Sequence, residues 1–279
     1  MGKIILGFSL WSFTLHLFLI MLKADFPGNK QGGEGKYMKK VHPHIDPSVL
    51  VFFTPSDLKV GKIIPVFFPT TNAKKSPHFL PKQEADSIPF SLAKLPSLLE
   101  FFSFPRDSPQ AKAMEETLQG CETDPIKGEI KLCATSLESM LDFLRVVLGH
   151  EARFRALATT VQYLRKPASS LLQNYTILDE PKEMVATKMV ACHNMPYPYA
   201  VFYCHYHESE SKVYRVLLGG EYGDRVDAVA VCHMDTSLWS HSHVSFLVLG
   251  IKPGSSAVCH FFPADNLVWL PVQEFRGEM

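Results

Sequence analysis

The sequence predicts an α+β fold, with helices in the N-terminal half and an antiparallel β sandwich or barrel-like core in the C-terminal half. Three observations carry this expectation. Helical periodicity clusters between residues 91 and 150. From about residue 160 the chain turns to short β-branched and aromatic runs separated by Gly, Pro, Asp or Asn. No repeat of fold size appears; only the dipeptide Cys-His recurs, four times, each within or at the end of an apolar run.

The elements follow in order. Residues 1–24 have one lysine, Lys3, then an apolar run from Ile4 to Leu22 and a small residue, Ala24, which is the order of a cleaved secretory signal. An uncleaved anchor is the alternative for a run of this length. Residues 25–50 are rich in Gly, Lys, Pro and His without hydrophobic period and read as a flexible linker. Ordered sequence opens at Val51-Phe52-Phe53, and the proline-rich stretch behind it reads as extended wrapping segments. Short helices are expected within 91–104 and 108–121, the second opened by Ser-Pro and closed near Gly120. The strongest helix is TSLESMLDFLRVVLGH, residues 135–150. Thr135 or Ser136 caps it, Glu138 completes a capping box, and Gly149 ends it. Beyond it TVQYLR, YTILDE, EMVATKMVACH, YAVFYCHYHE, SKVYRVLLGGE, RVDAVAVCHM, HVSFLVLGI, SSAVCHFF and NLVWLPV all read as strands. One domain over 51–273 is expected, with a tail at 274–279.

Composition narrows the function. The 279 residues are 46% hydrophobic and 20% charged with a formal net charge of zero, so no electrostatic footprint for nucleic acid is present. No second apolar span follows the first, so no membrane attachment is expected once the signal is removed. Secretion would expose all six cysteines, Cys121, Cys133, Cys192, Cys204, Cys232 and Cys259, to an oxidising compartment. The sequon Asn174-Tyr175-Thr176 is a glycosylation candidate there.

The four dipeptides are Cys192-His193, Cys204-His205, Cys232-His233 and Cys259-His260, in the array CH-x10-CH-x26-CH-x25-CH. Neighbouring side chains on a strand point to opposite faces, so a Cys and the next His do not easily reach one ion. Neighbouring strands would instead carry a sulfur layer on one face and an imidazole layer on the other. The sulfurs are then expected to pair as disulfides, in a connectivity the spacing leaves open. The imidazoles are free to converge on a cation, and an imidazole-only site suits copper or zinc. A Cys/His zinc site is an alternative that the long spacings disfavour. His207 shares the face of His205 and is a candidate fifth ligand. His241 and His243, in WSHSHV, read as solvated loop histidines more than as a metal clip. Asp224 and Asp227 read as turn and surface residues, and the aromatics of PYPYAVFY as core and turn packing.

This array resembles the signature of the BURP domain, a plant protein family. Phe52-Phe53, FLPKQEADSIPFS, CETDPIKGEIKLCATSLESMLDF and CHFFPADNLVWLPV resemble its other blocks, in order, over about residues 51–272. The resemblance implies a secreted plant protein of the cell wall or apoplast, with a vacuole as the alternative, associated with seed development or stress. Some such proteins are non-catalytic wall components, for which wall polysaccharides or wall proteins are the partners. Others are copper-dependent peptide cyclases that crosslink a Tyr or Trp side chain, usually in their own chain. Carried over by position, the implied copper ligands are His193, His205, His233 and His260. A peptide substrate within the chain would be expected as Tyr- or Trp-bearing repeats, whereas residues 25–50 hold one Tyr (Tyr37), no Trp and no repeat. The expectation is therefore a non-enzymatic secreted protein with a disulfide frame and a copper site; a cyclase acting in trans is the alternative.

Overall fold

Short strands that bury both faces need a second layer on each side, and the chain supplies it with two antiparallel sheets and a cap of helices. A computed structural model describes residues 51–68, 76–162 and 172–272. The expected signal peptide, the linker and the C-terminal tail lie outside the described residues, as does the last residue assigned to the domain.

The elements run β1 (Phe52–Phe53), β2 (Ile63–Phe67), α1 (Lys82–Ser87), α2 (Leu95–Phe101), α3 (Pro109–Glu122), β3 (Glu129–Ala134), α4 (Leu137–Leu148), β4 (Phe154–Leu157) and β5 (Thr160–Gln162). They continue with β6 (Leu172–Ile177), β7 (Lys182–Glu183), β8 (Val190–Met195), β9 (Val201–His207), β10 (Ser211–Gly220), β11 (Arg225–His233), α5 (Val244–Leu249), β12 (Val258–Phe261) and β13 (Leu267–Pro271). The larger sheet, of eight strands, has the order β1-β12-β11-β10-β6-β2 and curls into a half-barrel; β5 pairs with β11 and β7 with β10. The smaller has the order β3-β9-β8-β13-β4.

Alternation along the strands assigns side chains to layers. On β11, Val226, Ala228, Ala230 and Cys232 face the hollow of the half-barrel, where Phe53, Tyr175, Ile177 and Phe261 fill the core. Val229 and Val231 face the other way and meet Ala191, Val268 and Leu270 of the smaller sheet. The outer face of that sheet receives Met140, Phe143, Leu144 and Val147 of α4 against Val190, Cys192 and Cys204. One end is closed by α2 and α3, whose Leu98, Met114 and Leu118 pack on Tyr197 and Tyr199. The reading of PYPYAVFY as core packing is thus borne out.

The expected segregation of helices and strands is only partly realised. Strands β1, β2 and β3 lie in the first half, and α5 lies in the second. HVSFLVLGI, expected as a strand, folds as α5. The His243 ring accepts from the Ser245 amide at its start, and Gly250 ends it with φ at +65°, a left-handed conformation a side chain resists. Within the stretch expected to be extended, residues 82–87 form α1. The cap of α4 is Ser136, but its reciprocal partner is Ser139 rather than Glu138. Asp224 is not a surface residue: it is buried and accepts from Gln173 Nε2 at 2.8 Å. Asp227 is half-exposed and ion-paired with Arg215.

Candidate metal centre

Each Cys-His pair sits on a strand whose partner strand carries another, β8 beside β9 and β11 beside β12. In β8 and β9, Cys192 lies directly opposite Cys204; in β11 and β12, Cys232 lies opposite Cys259. Both pairs are disulfides, with Cα atoms 4.0 and 3.9 Å apart. The third bridge, Cys121–Cys133, ties α3 to β3. All six cysteines are thereby used, which leaves no thiolate for a Cys/His zinc site.

The register that seats the sulfurs also aims the rings. Each His follows its Cys and therefore projects from the opposite face, into the space between the two sheets. His193 and His205 come from the smaller sheet, His233 and His260 from the larger. His193 Nε2 lies 3.3 Å from His205 Nε2. His233 and His260 stack with ring centroids 5.6 Å apart, and His193 lies 6.3 Å from His260. All four line one cavity of about 90 Å³. The sulfur and imidazole layers expected from sequence are present.

Further groups complete the cavity. His207 does share the face of His205, at a ring separation of 5.2 Å, and lies 6.0 Å from His233. His243, expected to be solvated, is buried and lines the cavity, whereas His241 is exposed; the two form no clip. Trp239 packs on His233 and His243 at 5.1 and 4.5 Å. Phe52 lies opposite His260 in the strand register and 5.9 Å from it ring to ring, so the paired phenylalanines serve both layers: Phe53 packs on Phe261 in the core.

Glu129 on β3 was not legible in the sequence. Its Oε1 accepts from His205 Nδ1 at 3.0 Å and from Tyr203 Oη at 3.0 Å, and lies 3.8 Å from His207 Nε2. Glu129, His205 and His207 bring three ligand atoms within 4.8 Å of one another. The pairing of β3 with β9 creates this contact across 76 residues, and no local pattern announces it. On the far side, Asn266 Nδ2 lies 3.2 Å from His193 Nδ1.

Burial governs the protonation of these rings. It pushes His193 and His233 well below the usual imidazole range, and the neighbouring imidazoles add to this. Burial likewise brings His260 to about 3, and His243 to about 4. His207 falls to about 4 by burial and the nearby His205, although the Glu129 carboxylate opposes the shift. Burial would raise the Glu129 carboxyl, but the hydrogen bond and charge of His205 and the Ile126 amide hold it at about 2. The neutral imidazoles of His193, His207, His233, His243 and His260 and the ionised carboxylate of Glu129 are in the protonation states a divalent cation requires of its ligands.

Residues 51–271 match the BURP domain family. The chain is 44% identical to the BURP domain protein USPL1 of Arabidopsis thaliana, over 94% of each chain. It is 46% identical to the BURP domain-containing protein BNM2C of Brassica napus, over 94% of this chain and 95% of that one. It is 41% identical to the BURP domain protein RD22 of Arabidopsis thaliana, over 83% of this chain and 58% of that one. A match across the whole described domain, with the Cys-His pairs bridged on adjacent strands, makes this chain a member of the BURP domain family.

Proposed function

We propose that this chain is a secreted protein of the cell wall or apoplast, of the seed- or stress-associated kind, which holds copper in its inter-sheet cavity and does not turn over substrate. The observation that carries the proposal is the convergence of four imidazoles from two sheets on one space, each backed by a disulfide. The donor set fits copper: nitrogen ligands dominate and carboxylates are few. His193, His205, His233 and His260 would hold the ion, with His207 and Glu129 beside them. Copper in such a set supplies one-electron chemistry and reaction with dioxygen. The chain's own contribution is to aim the rings. Glu129 fixes His205 by accepting a hydrogen bond from its Nδ1–H, and the paired strands hold the two rings of each pair side by side.

The disulfide frame is compatible with secretion, and Asn174, exposed on β6, is available to a glycan. The lack of a Tyr- or Trp-bearing repeat in residues 25–50 favours a non-catalytic role. One feature favours a peptide cyclase acting in trans: Phe52 and Trp239 line the cavity beside the histidines and could flank an aromatic side chain. The deciding experiment incubates copper-loaded protein with Tyr- and Trp-containing peptides and follows their masses. Unchanged masses from protein that retains copper support the proposal. Catalytic loss of two hydrogens per peptide, abolished by His233→Ala, would overturn it in favour of the cyclase.

A further inference from the structure

Hydrogen bonds around His193 determine which of its nitrogens carries the proton. Asn266 is buried, and its side-chain oxygen accepts from the Asn194 backbone amide at 2.9 Å. That donor fixes the orientation of the Asn266 amide, because the opposite orientation would set two N–H groups against each other. The NH2 group of Asn266 must then face His193 Nδ1, 3.2 Å away, and that nitrogen must be the acceptor. The ring proton of His193 is left on Nε2, which faces His205 Nε2 at 3.3 Å. His205 accepts there because its own proton is on Nδ1, donated to Glu129. The bonds from Asn266 to Glu129 thus run in one direction, and the direction is set at the Asn194 backbone.

We propose that Asn266 is a positioning residue that holds His193 in the metal-free protein as a hydrogen-bond donor to His205, so that His193 joins the ligand set only once its ring proton has left Nε2. The inference rests on the copper reading of this cavity. For His193 to ligate through Nε2, its proton must move to Nδ1, where it meets the NH2 of Asn266. Cation binding at His193 therefore carries the cost of turning that amide away from Asn194. Outer partners of ligating histidines commonly change metal affinity by about 10- to 100-fold. Asn266→Asp is the informative change. Its carboxylate can accept from both the Asn194 amide and His193 Nδ1–H, which turns the Nε2 lone pair to the cavity and frees that of His205.

The test uses the disulfide-bonded secreted chain and two readouts. Nitrogen NMR of the metal-free protein, labelled at histidine, reports the His193 tautomer, and chelator competition reports Cu(II) affinity. The expected results are the Nε2–H form in the parent, the Nδ1–H form in Asn266→Asp, and at least about tenfold tighter Cu(II) in the variant. Asn266→Ala, which removes the NH2 donor without adding charge, should show a mixture of both tautomers. The Nδ1–H form in the parent, or an exchanged tautomer with unchanged Cu(II) affinity, would overturn the proposal. Cu(II) bound by neither protein, with the tautomer exchanged as expected, would sink the copper reading while upholding the role of Asn266 in placing the proton.

Discussion

Acidification of the metal-free protein should unfold it well above the pH at which carboxylates protonate. In the unfolded chain each histidine takes up a proton near its ordinary value of 6.5, whereas in the fold His207 and His243 do so at about 4 and His260 at about 3. Between these values the unfolded state binds more protons, so stability is fully present above about pH 6.5 and falls as pH drops toward 4. At pH 5 each of the three rings costs about 2 kcal/mol of stability, together about 6 kcal/mol. His193 and His233, depressed by the same burial, add in the same direction. The sum is comparable with the whole stability of a typical domain, about 5–15 kcal/mol. Glu129 works in a lower window: its depressed carboxyl contributes stability that is lost as pH falls from the ordinary value of 4.5 through about 2. Urea denaturation followed by circular dichroism at several pH values between 7 and 5 measures the effect. A His243→Asn variant keeps a good helix cap while removing one ring, and should lose about 2 kcal/mol less at pH 5. An unfolding free energy constant to within about 1 kcal/mol over this range would mean that the buried rings do not set the acid sensitivity.

Three further outcomes follow. Replacing Cys192 and Cys204 together by Ala opens a bridge between residues 12 apart in sequence; it should cost about 3 kcal/mol in thermal or urea unfolding and lower copper retention. In Gly220→Ala the new methyl would lie 2.5 Å from the side-chain oxygen of Gln173, whose amide bonds Asp224 and Tyr175 inside the half-barrel. A loss of about 1–3 kcal/mol in a thermal melt is expected, and an unchanged melting temperature would contradict it. Protein secreted from a plant or insect host should begin near residue 25 by N-terminal sequencing and lose mass on deglycosylation, an effect that Asn174→Gln removes.

Much of this was legible in the sequence because it follows from strand geometry. Alternation separates each Cys from its His whatever the connectivity, so the two layers could be expected before the pairs were known. Helix α4 announced itself through its caps and its periodic Leu137, Met140, Leu141 and Leu144. What local patterns did not carry was set by distant pairing. Glu129 reaches His205 only because β3 runs beside β9. Asn266 reaches His193 because residues before β13 return alongside β8. His243 looked solvated because SLWSHSH reads as a turn, yet the Trp239 ring and the start of α5 bury it. The apolar run after it suits a strand or a helix equally, and the left-handed Gly250 was the one local sign of a helix end.

Whether the inter-sheet cavity holds copper is decided by the copper content of the secreted chain, set beside a variant with His193, His205, His233 and His260 all changed to Ala. Near-stoichiometric copper in the parent and none in a variant that keeps its three disulfides is the predicted result. A parent that is folded and disulfide-bonded yet binds no copper when offered it would contradict the account, and the convergence of the imidazoles would then serve the packing of the two sheets.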